Sequence, residues 1–198
     1  MPHIHTQPNQ HDMTVSAYIL YRRDDEWKCL VHFHKKMDIL MQIGGHIELD
    51  ETPWQAILHE LIEESGFSPE DLDVLQFTAD RIDETSNVNH PTPFAMNTHL
   101  VGDEHFHSDI CYGFVAKSVP THSVAEGESD DLRWLSLSEL QEGVQEGKVL
   151  DDVAAIYKFL LKHVEDYTLV SATSFSNAKP VKATITYKRG RPGESARS

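Results

Sequence analysis

The sequence predicts an α+β chain, or a three-layer α/β/α sandwich around a mixed central sheet. Three observations carry that expectation. Strand-like apolar runs crowd the N-terminal part of the chain, a capped amphipathic helix interrupts them, and a strong strand-like run then precedes two more helical stretches.

Taken in order, residues 1–12 are polar and rich in His, Gln, Asn and Pro, and read as a loose arm whose His3, His5 and His11 reflect composition. Residues 14–21 (TVSAYILY) form a buried strand, the polar stretch RRDDE turns the chain, and residues 27–34 return as a second strand. Residues 39–43 make a short strand ending at Gly44 and Gly45, which completes an antiparallel start to a sheet. A helix over residues 53–65 begins cleanly. Thr52 is the N-cap, Pro53 suits the first helical position, Gln55 completes a capping box and Gly66 stops the helix. Residues 71–79 read as a strand, and residues 80–96, with Pro91 and Pro93, as a loop. Residues 105–117 are a strong strand, 132–135 a short one, 137–140 the start of a short helix and 150–164 a longer amphipathic helix. Near the end, Val181, Ala183, Ile185 and Tyr187 alternate with Lys182, Thr184, Thr186 and Lys188, the period of a strand. There is no internal repeat.

A chain of 198 residues with 39% hydrophobic and 25% charged content suits one globular domain with extensions. The expected division is an arm over 1–12, a domain over 13–167 and a basic extension over 168–198. The formal net charge of −15 argues against duplex nucleic acid or an anionic membrane as bulk partner. Anionic small molecules remain open to it through bridging metal cations. The charge is uneven: from residue 168 on, Lys179, Lys182, Lys188, Arg189, Arg191 and Arg197 face Glu194 alone. That end reads as a solvated tail, with phosphate, RNA or the acidic body as alternative contacts. Cys29 and Cys111 lie in apolar runs, as buried reduced thiols would, and imply a cytoplasmic setting. The N-terminus has no secretory pattern, and no stretch reaches the roughly 20 apolar residues of a membrane helix. Oligomeric state is left open, a homodimer included.

The segment GGHIELDETPWQAILHELIEESGF concentrates the chemistry. At roughly 100° per residue, Trp54, Ile57, Leu58, Leu61 and Ile62 share one helical arc, while Glu60, Glu63 and Glu64 occupy another. Like charges three and four residues apart cost a few tenths of a kcal/mol each, and the helix dipole disfavours anions near its C-terminal end. Either water solvates this face or a divalent cation sits among the oxygens. Mg²⁺ is hard, prefers oxygen and pairs readily with substrate phosphates. Gly44 and Gly45 add a place where backbone approaches closely.

The spacing of Gly45, Glu51, His59, Glu60, Leu61, Glu63, Glu64, Gly66 and Phe67 closely resembles the Nudix box, Gly-x5-Glu-x7-Arg-Glu-U-x-Glu-Glu-x-Gly-U with U a bulky apolar residue. All specified positions match except His59, which stands where the family has Arg. The resemblance implies a Nudix fold and a divalent-metal-dependent pyrophosphohydrolase acting on a nucleotide or nucleoside diphosphate derivative. It implies Mg²⁺ or Mn²⁺ on Glu60, Glu63 and Glu64, with the Gly44 carbonyl as a further ligand. Glu63 or Glu64, or a glutamate from a later loop, would be the base toward water. Gly45, Glu51 and His59 would orient the box, His59 bonding an acid of the box less rigidly than Arg. A Nudix-fold binding or regulatory module without turnover is the alternative, and a diphosphate isomerase of the same broad fold a weaker one.

His105, His107 and Asp109 alternate on one strand face, with Glu104 adjacent. Pocket wall, outer metal ligand, transition-metal site and ordinary polar strand all remain open. Lys35 and Lys36 could meet substrate phosphate or cap a solvated hairpin. Trp27, Trp54 and Trp134 fit the core better than base stacking. The downstream Pro or Tyr that would mark ADP-ribose or dinucleoside polyphosphate substrates is absent, with Asp83 in that vicinity, and neither a coenzyme A nor an NADH signature is present.

Overall fold

The run VSAYIL is apolar almost throughout because its strand is buried on both faces. The computed structural model describes residues 6–82, 87–102 and 105–178. Among these, the strands are β1 (His11–Arg23), β2 (Glu26–His34), β3 (Ile39–Met41), β4 (Ile43–His46), β5 (Leu72–Gln76), β6 (Ala95–Val101), β7 (His105–Ala116), β8 (Leu132–Leu135) and β9 (Thr168–Ser171). The α-helices are α1 (Pro53–Glu60), α2 (Leu137–Gln145) and α3 (Asp151–His163). No described helix is long and apolar enough to cross a membrane.

β1 runs parallel to β7, from His11 opposite Phe106 to Leu20 opposite Val115, and antiparallel to β2 and β4. The main order is β3-β2-β1-β7-β5-β9, with β8 on β2 and β6 on β7, so the sheet is mixed. Its two faces bury separate cores. Val15, Ala17, Ile19, Tyr112 and Phe114 pack against Trp54, Ile57 and Leu61 of the box helix. Tyr18, Leu20, Cys29 and Cys111 pack against Leu140, Tyr157 and Leu160 of α2 and α3. The Tyr157 hydroxyl accepts the Ile19 amide at 3.2 Å and donates to the Leu30 carbonyl, tying α3 to two strands. This is the three-layer α+β arrangement the sequence predicts, and both cysteines are buried free thiols.

Several boundaries differ. β1 starts inside the expected arm: His11 and Asp12 pair with Phe106 and His107, and Asp12 is buried. Parallel pairing to a longer β7 supplies partners that a polar stretch does not advertise. The expected strand over 39–43 splits at Gln42, β3 lying on β2 and β4 on β1, so Gly44 and Gly45 sit within β4 rather than beyond a strand end. β6 occupies part of the expected loop, because a strand paired to β7 with largely exposed side chains has little apolar pattern to display. The folded body also passes residue 167. β9 pairs with β5, and Ala172 and Phe175 are buried, Phe175 packing 5.7 Å from the Trp54 ring. The alternating 181–188 segment, Asp83, Glu104 and the basic residues from Lys179 on lie outside the described residues.

Candidate active site

The box helix begins as its sequence dictates. Thr52 Oγ1 accepts the Gln55 amide at 3.2 Å, and Gln55 Oε1 accepts the Thr52 amide at 3.0 Å. Past Glu60 the winding widens into a π-helical turn, Leu61–Ser65, of a kind often found at functional sites. Gly66 closes it with φ 71°, where an added Cβ would lie 2.1 Å from the His122 carbonyl oxygen.

The expectation that Glu60, Glu63 and Glu64 share an outward arc is corrected. Glu60 and Glu64 are only 9% and 7% exposed, whereas Ile62, assigned to the core arc, is 38% exposed. The reason lies on β4. A Cβ on Gly45 would sit 2.0 Å from Glu60 Oε1, so the bare glycine makes the space the carboxylate fills. The adjacent Gly44 amide donates to Glu64 Oε2 at 3.0 Å. His32 of β2 closes the other side, its Nε2 3.7 Å from Glu64 Oε2 and its Nδ1 buried without a hydrogen bond.

The electrostatics follow from burial. Desolvation, reinforced by Glu63, pushes the Glu60 carboxyl up to about 7. Desolvation pushes Glu64 up to about 9 against the lowering effect of the Gly44 amide, with Glu60 and Glu128 adding to the rise. Burial holds His32 down to about 4, so it is neutral and offers no counter-charge. Burial thus favours the protonated form of both carboxyls. The donors are all oxygen, and Glu63, 38% exposed at its side chain, keeps one edge open to solvent. That set fits Mg²⁺ or Mn²⁺.

His59 occupies the Arg position and bridges two box acids, with Nε2 2.9 Å from Glu63 Oε1 and Nδ1 3.3 Å from Glu51 Oε1. Partial burial lowers its pKa, but the charges and hydrogen bond of Glu63, with Glu51 and Glu60, outweigh this and leave it raised. Lys35 donates to the carbonyls of Gly127 (2.9 Å) and Glu128 (2.6 Å). It therefore anchors a loop, and two of its protons are committed to that task. The same loop is fixed by the Ala125 amide on the Glu63 carbonyl at 2.8 Å. The charge of its exposed Glu128 adds to the rise of both Glu60 and Glu64. Sequence reasoning missed Glu128, for nothing local marks it.

His105, His107 and Asp109 do not join this cluster. Register places them on the sheet face shared with Thr14 and Cys111, opposite α1. Asp109 Oδ1 accepts from Thr14 Oγ1 at 2.9 Å, and its Oδ2 takes the Cys111 thiol at 3.2 Å. The two histidines gather instead with Asp12.

A family model described as NUDIX domain matches residues 10–155. No curated protein matches the chain in sequence. Among solved structures, a NUDIX-family hydrolase from Clostridium perfringens is similar at TM-score 0.61 and 25% identity, over 77% of this chain and 97% of that one. The NUDIX domain of Shewanella oneidensis NrtR, complexed with ADP ribose, is similar at 0.53 and 16%, over 78% and 88%. An Ap4A hydrolase from C. elegans is similar at 0.54 and 13%, over 78% and 98%. The last two show likeness of fold.

Proposed function

The chain belongs to the Nudix hydrolase family, and from that premise we propose that it hydrolyses a diphosphate linkage in a nucleotide or nucleoside diphosphate derivative, using a divalent cation held by Glu60, Glu63 and Glu64. One observation carries this: two glutamates of the box lie buried against Gly44 and Gly45, where desolvation raises the pKa of both. Burying two such carboxyls costs stability unless something repays it. Mg²⁺ or Mn²⁺ bound there, with the Gly44 carbonyl as a further ligand, supplies Lewis acidity toward the phosphoryl oxygens and lowers the pKa of the attacking water.

The protein's own part is positioning and proton transfer. Gly45 leaves space for Glu60, the Gly44 amide fixes Glu64, and His59 spaces Glu51 from Glu63. Glu63 Oε1 is engaged by His59 and Glu64 Oε2 by the Gly44 amide, so each keeps one oxygen to serve as base. Glu128, carried by the Lys35-anchored loop, is a third candidate. ADP-ribose and dinucleoside polyphosphates belong in the first substrate screen, because they are the ligand and substrate named for two similar structures.

The test is turnover of a nucleoside diphosphate panel with Mg²⁺ and Mn²⁺ by wild type, Glu63→Gln, Glu64→Gln and Glu128→Gln. The proposal expects chelator-sensitive hydrolysis and a collapse in at least one of the three variants. Activity indifferent to chelator and to all three substitutions overturns it. Nucleotide binding without hydrolysis in wild type would make the chain a binding module.

A further inference from the structure

On the sheet face opposite the box helix, three imidazoles and a carboxylate converge from three strands. Asp12 comes from the start of β1, His46 from the end of β4, and His105 and His107 from the start of β7. His105 Nε2 and His107 Nε2 are 3.3 Å apart. Asp12 Oδ2 lies 3.7 Å from His46 Nε2 and 3.9 Å from His105 Nε2. The ligand atoms of Asp12, His105 and His107 all fall within 4.8 Å of one another. The His46 and His107 rings meet edge to face at 4.9 Å between centroids. Asp12 and His105 are buried, and the His46 side chain is 22% exposed.

We propose that Asp12, His46, His105 and His107 form a second metal site, selective for Zn²⁺ or a similar borderline transition ion and distinct from the carboxylate site. Four tetrahedral ligands at the usual zinc distances have neighbouring atoms about 3.3 Å apart. The two β7 histidines already stand at that spacing, Asp12 Oδ2 needs to close on His105 by roughly half an ångström, and His46, which lies outside the close trio, must turn toward it. Three imidazole nitrogens with one carboxylate suit Zn²⁺, Co²⁺ or Ni²⁺ and suit Mg²⁺ poorly. Thr6 Oγ1 donates to Asp12 Oδ2 at 2.9 Å, the outer hydrogen bond that orients a ligating carboxylate. With His46 turned in as the fourth donor beside Asp12, no coordination position stays open and the site is structural. It clamps the entry of β1 to β7 and to β4. His46 directly follows Gly45, so the clamp also fixes the strand that seats Glu60 and Glu64. The assignment stands apart from the hydrolase reading, because it uses none of the box carboxylates.

The test is titration of the full chain with Zn²⁺, followed by calorimetry and by the ligand-field spectrum of bound Co²⁺. A Glu60→Gln/Glu64→Gln chain silences the box. The expected result is one Zn²⁺ per chain in both proteins, resistant to excess Mg²⁺, a tetrahedral Co²⁺ spectrum and a higher melting temperature with Zn²⁺. His105→Ala/His107→Ala should weaken this uptake on the order of 100-fold or more while Mn²⁺ binding at the box persists. Asp12→Asn and His46→Gln, which preserve volume, should weaken it by a smaller factor and guard against misfolding of the double variant. No Zn²⁺ uptake in the box-silenced chain, or uptake unchanged in all the ligand variants, overturns the proposal.

Discussion

The two faces of β4 carry opposite kinds of chemistry one residue apart. Gly45 turns toward the box helix and, having no side chain, admits the Glu60 carboxylate. His46 turns to the other face and meets Asp12 and the His107 ring. Strand alternation thus sets an oxygen-only cluster against a nitrogen-rich one. The carboxylate side is held locally, by one helix over two glycines. The histidine side depends on β1, β4 and β7 keeping register. A strand so used couples two sites without any side chain belonging to both.

The sharpest way to break the contrast is to remove one oxygen. Glu64→Gln should lower kcat/KM by about 10²- to 10⁴-fold, with the circular dichroism spectrum unchanged and Zn²⁺ uptake intact. A loss below about 10-fold would mean that Glu64 neither holds metal nor moves a proton. Gly45→Ala probes the seat rather than the ligand. Its Cβ must displace Glu60, so Mn²⁺ affinity by calorimetry should fall roughly 10- to 100-fold. Unchanged affinity would show that Glu60 does not need its buried position.

A third measurement follows stability against pH in the metal-free protein. The folded carboxyls titrate at about 7 and about 9, above the ordinary value of 4.5. The folded state therefore holds protons that the unfolded chain releases. Stability is greatest below the unfolded value and falls as pH rises through the two folded values. The raised pKa of His59 acts in the same direction, its contribution present below the ordinary imidazole value and lost above its own. Chemical denaturation between pH 5 and 9 should show a decline on the order of 2 kcal/mol per pH unit below about pH 7, where both carboxyls contribute, and about half that slope from there to pH 9. Saturating Mg²⁺ should flatten it, since the cation takes the protons' place. A rising curve would show the carboxyls to be ionised without metal.

The smallest effect is expected from His59→Arg. An always-charged fork would hold Glu51 and Glu63 without titrating. The melting temperature should move by the equivalent of less than about 1 kcal/mol, because the pair is half exposed. The pH–rate profile should lose a limb near neutrality. Unchanged activity, profile and melting temperature would remove any role for His59 beyond filling the position.

Much of the box could be read in advance because its signals are local. Thr52, Pro53 and Gln55 start the helix through contacts within one turn, and Gly66 ends it through its own φ. The period of the apolar residues placed Trp54, Ile57, Leu58 and Leu61 in the core correctly. Period alone misplaced Ile62 and left Glu60 and Glu64 outside, because which flank of a helix meets a neighbour depends on where that neighbour lies. Lys35, open in the sequence to a phosphate contact or a solvated hairpin, anchors a loop more than ninety residues away in sequence. The His-x-His-x-Asp stripe announced a shared face, yet the carboxylate that joins the histidines is Asp12, while Asp109 is taken by Thr14 and Cys111.

The amino-acid order by itself determined the helix, its caps, the alternation of the strands and the spacing that identifies the family, since each depends on atoms a few residues apart. Only the tertiary structure decided which acids are buried, that the charge of Glu128 acts on them, and that Asp12 meets His46, His105 and His107. The last of these rests on parallel pairing between strands some ninety residues apart, and the others on where β4 and a distant loop meet the box helix, none of which a local preference sets.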